Sequence, residues 1–216
     1  MRYERYMLAS FTASTMVIGA WIKFNVGPIP YTLQNFGVVL ASLLMDPLGA
    51  TFSVLLYVAM IAVGLPVAAG FKGGPHILFG YTAGYIWGFV LSAPLVSILY
   101  RTYLKTVRKY SHELRSVDIA VLTALASLGM LPTYILGYLV FRFYALSSAG
   151  LLSWAEAASG FFGLHNGVEL TIFSASILIF LPQDVLIDHL MAVITFTRLC
   201  SLLSSRGIVI ESCLCK

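Results

Sequence analysis

Residues Ile77–Tyr100 read ILFGYTAGYIWGFVLSAPLVSILY, without one charged side chain. Crossing the hydrocarbon core of a bilayer takes about 20 mostly apolar residues in a helix, so this block reads as a transmembrane helix. The rest of the chain is of the same kind. Of its 216 residues, 59% are hydrophobic and 10% charged, where a soluble chain carries roughly 25% charged residues. Mean hydropathy is +0.90. So few charges cannot cover the surface of a soluble fold. Disorder and a disulfide-framed secreted domain are excluded for the same reason. An outer-membrane barrel would alternate apolar and polar residues in strands of about ten residues; continuous apolar blocks stand here instead. The chain reads as an all-α membrane protein of about six spans, one domain over residues 1–216 with no space for a soluble catalytic domain.

Outward from that block, the spans fall at about Met7–Phe24, Thr32–Met45, Leu48–Leu65, Ile77–Tyr100, Val117–Phe141 and Pro182–Leu203. Gly27–Tyr31, with Pro28 and Pro30, is a loop. Pro47 suits the opening of the third helix. Pro66–Pro75 is a loop rich in Gly and Ala, and Arg101–Ser116 is the clearly polar connection. Arg142–Phe180 is mixed, with one or two helices expected near the surface. Met1–Tyr6 runs straight into apolar sequence with no small-residue cleavage site, so no cleavable signal is expected.

Basic residues in short loops mark the cytoplasmic side. Arg101, Lys105, Arg108, Lys109 and Arg115 crowd one connection. Counting from it places both termini in the cytoplasm, in accord with Arg2, Arg5, Arg198, Arg206 and Lys216. A net charge of +4 is then topology, and nucleic-acid binding is not needed to explain it. The same counting puts Gly27–Gln34, Gly64–His76 and the approach to Pro182–Asp184 on the outer side. Irregular backbone at the ends of short spans must be buried in protein or line a cavity, so a ligand is expected there.

Polar residues inside spans are functional candidates by default. Gln34 and Asn35 open the second span, Arg142 ends the fifth, and Asp184, Asp188 and His189 lie in the last. Leu181-Pro182-Gln183-Asp184 reads as a helix start, with proline in the first turn and a carboxylate behind it. Asp184 is either a helix-terminus charge or a ligand acceptor at the outer mouth. Asp188 shares its face, and with His189 the pair could hold a divalent metal, although such a site needs further ligands. No G-x-S-x-G elbow and no G-x-x-x-x-G-K-[ST] phosphate loop is present. Gly80, Gly84 and Gly88 form a small-residue stripe suited to close helix packing. The cysteines are Cys200, Cys213 and Cys215; Cys213 and Cys215 are too few for a metal site. Cys213 stands fourth from the end, the place of a prenylation box, for which Lys216 is a poor last residue.

Several ordered motifs together resemble the BioY family, the biotin-specific substrate-binding subunits of energy-coupling-factor (ECF) transporters. Gly27-Pro28-Ile29-Pro30-Tyr31-Thr32-Leu33-Gln34-Asn35 resembles its P-I/V-P-x-T-x-Q-T/N signature. Val38–Met45 resembles the V-L-L-A-G-L-L-L-G segment that follows. Ser53–Tyr57 and Gly64–Val67 are similar to its S-x-x-x-Y and G-L-P-V elements. Phe79–Phe89 resembles G-P-T-G-G-Y-x-x-G-F, and Leu181–Asp184 resembles the closing L/I-P-G-D.

The resemblance implies an ECF S-component bundle that binds biotin from outside and delivers it inward, without chemistry of its own and without a cofactor. Its partners would be a transmembrane coupling subunit and two ATPase subunits, in the plasma membrane of a prokaryote. It implies that Asp184 faces biotin's ring and that Thr32, Gln34, Gly70–Gly74 with Gly73, and Tyr85 line the outer pocket. It implies that Ala9 and Ala13 belong to the helix that docks on the coupling subunit. Asp184 would accept a ureido N–H in a charge-assisted bond, and Lys72 or Arg142 would face the tail carboxylate. The chain departs from the family pattern at Ile187, where a lysine is usual, and at Tyr81. The other readings are an S subunit for another small vitamin, a metal-dependent membrane enzyme using Asp184, Asp188 and His189, and a structural membrane partner that binds no small molecule.

Overall fold

The computed structural model describes residues 2–26, 29–107, 116–164 and 167–206. Over these the chain is helical apart from one β-hairpin. Helix α1 (Arg2–Trp21) leads into strands β1 (Lys23–Val26) and β2 (Ile29–Thr32), then α2 (Gln34–Leu44) and α3 (Pro47–Ala62). A 3-10 turn (Pro75–Phe79) precedes α4 (Ala83–Val107), followed by α5 (Ser116–Gly129), α6 (Leu131–Ser147) and α7 (Ala149–Phe161). The last helical run begins with α8 (Gly167–Phe173). It continues through a π-helical turn (Ser174–Leu178), α9 (Leu181–Gln183) and a second π-helical turn (Asp184–His189) into α10 (Leu190–Ser205).

A helix that is apolar on every side must be buried on every side, and α2 is that helix. Every residue from Gly37 to Leu44 is buried, enclosed by α1, α3, α4, α10 and the second π-helical turn. Eleven residues rise about 16 Å, well short of a hydrocarbon core of about 30 Å. The first turn of α2, residues 34–36, is half-buried and lies beside the second π-helical turn.

Among the described residues, three helical runs are long and apolar enough to cross a membrane: Ala83–Thr106, Ser116–Ser147 and Gly167–Leu203. Their bounds differ from the sequence expectation for physical reasons. The fourth span is a 3-10 turn and then α4, which carries Arg101 and Lys105 on its own last turns, where cations complement the helix dipole. Residues 108–115, which hold Arg108, Lys109 and Arg115, lie outside the described residues, as do Cys213 and Cys215. The fifth span is α5 and α6 in one apolar run, jogged at Met130, with Pro132 in the first turn of α6. The last span starts well before Pro182. Proline lacks the N–H that would bond the carbonyl of Leu178, and the ladder adjusts by opening π-helical turns on either side. Pro182 still stands in the first turn of α9. The stretch expected near the surface contributes to the core: Ala155 and Ala158 of α7 are buried with Phe141, Ala145, Ile172 and Tyr31.

Where the first span was expected, α1 ends at Trp21, and Lys23–Thr32 forms the hairpin, pairing Lys23 with Thr32 and Phe24 with Tyr31. Pro30 pairs with Asn25, a place a two-stranded ribbon can give a residue without an N–H. Phe24 and Tyr31 stack across the strands at 5.5 Å, and Tyr31 meets Phe180 edge-on at 5.4 Å. Tyr31 Oη also donates to the Ile179 carbonyl at 2.9 Å. The hairpin is thus pinned to the irregular part of the last helical run.

Two glycines of the α4 stripe let α6 come close. A Cβ on Gly84 would stand 2.1 Å from the Leu136 carbonyl oxygen, and one on Gly88 would stand 2.4 Å from Thr133 Cα. Ser92 and Thr133 hydrogen-bond across the same contact at 2.9 Å. Gly80 lies ahead of α4 and takes no part.

Candidate functional site

The widened turn after Pro182 carries the site's carboxylates into the bundle. Asp184 is 5% exposed. Its Oδ2 accepts from Tyr134 Oη at 2.9 Å, and the Asn35 side chain lies beside it. Asp188 follows on the same element and is fully buried. Its Oδ1 accepts from Gln183 Nε2 at 2.7 Å, and the backbone N–H groups of Asn35 and Phe36 face it. Those amides belong to the first turn of α2, whose positive end suits an acid. Among the described residues Asp188 Oδ2 and His189 Nε2 make no hydrogen bond; His189 Nδ1 lies 2.9 Å from Ser127 Oγ. The two acids and the histidine thus turn to three different partners. Among the described residues no group of three His, Cys, Asp or Glu side chains is placed to hold a metal ion.

A second chain of hydrogen bonds ties the end of the hairpin and the start of α2 to their surroundings. Gln34 Nε2 donates to Tyr57 Oη at 2.6 Å, and Tyr57 Oη donates to the Val67 carbonyl at 3.3 Å. Thr32 Oγ1 donates to Gln34 Oε1 at 3.3 Å, and Gln183 Nε2 reaches the Thr32 carbonyl at 3.3 Å. Thr32 and Gln34 are therefore tied both to the loop after α3 and to the last helical run. Tyr85, on α4, donates to the Ser176 carbonyl at 2.7 Å in the first π-helical turn, and its ring packs on Gly137, where a Cβ would fall 2.3 Å from a ring carbon.

The remaining candidates stand apart. Lys72 is exposed on the loop after α3, where the Lys72 carbonyl accepts from Ala68 N at 2.9 Å. Gly73 is there for the turn: a Cβ would lie 2.1 Å from the Leu65 carbonyl oxygen. Arg142 is held by Glu169, its Nε donating to Oε2 at 2.8 Å and its Nη2 to Oε1. Ala9 and Ala13 are 0% and 1% exposed. They lie inside the bundle, the Ala9 carbonyl accepting from Ser53 Oγ at 3.2 Å, while Met7, Phe11 and Ile18 form the exposed side of α1.

Sequence comparison bears on this arrangement directly. The BioY family model matches residues 1–204. The chain belongs to the BioY family. A biotin transporter BioY of Thermotoga maritima is 38% identical over 134 residues, which cover 62% of this chain and 71% of that protein. A biotin transporter BioY of Rhodobacter capsulatus is 33% identical over 148 residues, covering 67% of this chain and 71% of the relative. The crystal structure of the S-component for biotin from an ECF-type ABC transporter superposes with a TM-score of 0.68. It covers 93% of this chain and 92% of its own at 20% identity, a likeness of fold.

Within this BioY-family chain the structure gathers Asp184, Thr32, Gln34 and Tyr85 around the last helical run, and leaves Lys72 and Arg142 at the surface. Sequence reading missed Tyr134, Tyr57, Gln183 and Glu169. A tyrosine in an apolar span carries no pattern that separates a hydroxyl aimed at a carboxylate from one aimed at lipid. Gln183 was visible only as part of a helix start, and Glu169 lay in a stretch whose path the sequence leaves open.

Proposed function

We propose that this chain is the membrane-embedded S component of an ECF transporter and takes up biotin. The observation that carries the reading is Asp184: a buried carboxylate held by Tyr134 inside the bundle. A buried carboxylate favours a ligand that brings N–H donors, because a buried acceptor left unmatched costs about 1–3 kcal/mol. The ureido ring of biotin brings two such donors, and the bond to an ionised acid is charge-assisted. The biotin transporters among its relatives and the family of the chain point to the same vitamin.

In this reading the chain spans the plasma membrane of a prokaryote six times with both termini cytoplasmic. Thr32, Gln34, Gly73 and Tyr85 shape the outer pocket, and Lys72 or Arg142 meets the tail carboxylate. The chain needs no cofactor and no nucleic acid. Transport energy comes from a coupling subunit and two ATPase subunits. The coupling subunit docks along the exposed side of α1, with Met7, Phe11 and Ile18, while Ala9 and Ala13 lie buried inside the bundle.

The test is uptake of labelled biotin by cells unable to make it. With the coupling and ATPase subunits co-expressed, uptake should exceed the empty-vector background, and Asp184→Asn should return it to background. Uptake no greater than background in the complete system would overturn the proposal.

A further inference from the structure

Tyr134, Tyr138 and Arg142 stand four residues apart on α6, and each reaches the last helical run. Tyr134 Oη donates to Asp184 Oδ2 at 2.9 Å. Tyr138 Oη donates to Glu169 Oε2 at 3.2 Å, and its ring meets Phe173 edge-on at 5.9 Å. Arg142 closes on Glu169 through both Nε and Nη2. From Tyr134 to Arg142 the helix rises about 12 Å. The ladder so formed has a carboxylate acceptor at its buried end and a forked cation at its exposed end. Biotin carries the complementary pair, ureido N–H donors at one end and a carboxylate at the other, over a comparable length.

The fork of Arg142 is already filled by a carboxylate. Glu169 sits in the two-point geometry that guanidinium offers to any carboxylate. Its side chain is 57% exposed and that of Arg142 is 40% exposed, so the pair opens at little cost. An incoming carboxylate can replace Glu169 without leaving either charge buried and unpaired.

We infer that Glu169 is an internal stand-in for the ligand's carboxylate, holding Arg142 until the tail of a bound ligand displaces it. The exchange rests on biotin being the ligand, and it makes Glu169 a determinant of both affinity and tail selectivity. Removing the stand-in strengthens ligands that carry a carboxylate and leaves the others unchanged.

The experiment is calorimetric titration of the full, detergent-solubilised chain with biotin and with biotin amide, whose tail is uncharged. Glu169→Gln should bind biotin about two- to fivefold more tightly, the ratio an exposed ion pair supplies, and should bind the amide as wild type does. Glu169→Asp, which keeps a shorter carboxylate, should fall between the two. Arg142→Gln should bring biotin down to the affinity of the amide and, in the double variant, erase the gain from Glu169→Gln. Unchanged biotin affinity in Glu169→Gln, or equal weakening of biotin and amide, would overturn the exchange while leaving biotin as the ligand. A wild-type chain that binds neither compound would remove the ligand reading, and the exchange with it.

Discussion

Tyr134 does for Asp184 what water would do outside the membrane. Its hydroxyl at 2.9 Å fixes one carboxylate oxygen, Oδ2, and the Asn35 side chain also reaches the carboxylate. Tyr134→Phe removes that donor and keeps the ring. Losing a hydrogen bond to a buried charged group costs about 1–3 kcal/mol, so the ligand-free protein should unfold at a lower temperature in detergent. Biotin should bind more weakly as well, because the acceptor loses its orientation. An unchanged unfolding temperature would mean that Tyr134 does not hold the site. Asp184 was legible in the sequence because a carboxylate in an apolar block is conspicuous. Its tyrosine partner was not, because tyrosine is at home in such a block whether or not its hydroxyl has work.

Close approach of α4 and α6 is set by Gly84 and Gly88, and this contact brings Tyr85 and Tyr134 to the same helical run. A side chain at Gly88 meets Thr133 Cα at 2.4 Å, backbone that cannot step aside. Gly88→Leu should therefore separate the helices and destabilise the protein by about 1–3 kcal/mol or more, read as a lower unfolding temperature and reduced biotin binding. Gly150→Ala is the control: nothing lies within 4 Å of its added carbon, so stability should hold or rise slightly. The glycine spacing pointed to a close-packing face at Gly80, Gly84 and Gly88, but not to α6 as its partner, and Gly80 takes no part in the contact. The hairpin was hidden, because Lys23–Val26 follows the apolar first helix after a single residue and only its pairing with Ile29–Thr32 makes it a strand. The two π-helical turns were hidden too: Pro182 announced a helix start, whereas the ladder bends around it and keeps going.

At the scale of the whole molecule, the placement of the site rests on orientation. If the basic connection after α4 is cytoplasmic, the hairpin, the loop with Lys72 and the Arg142–Glu169 pair all face outward, where a vitamin arrives. A green fluorescent protein fused after the last residue should then fluoresce, and an alkaline phosphatase fused there should be inactive. The reverse pattern would put the mouth in the cytoplasm and contradict capture from outside. Composition pointed to a membrane protein, and ordered motifs pointed to the family. The burial of Asp184 came only from packing, because Tyr134 of α6 and Asn35 of α2 reach it only in the assembled bundle.

The central claim is that Asp184 receives biotin, and calorimetric titration of the purified protein tests it most directly. Wild type should bind biotin tightly with a metal chelator present. Asp184→Asn should bind it about ten- to a hundredfold more weakly, the loss of one charge-assisted hydrogen bond. Equal affinity in wild type and Asp184→Asn, or binding that disappears with the chelator, would contradict the account.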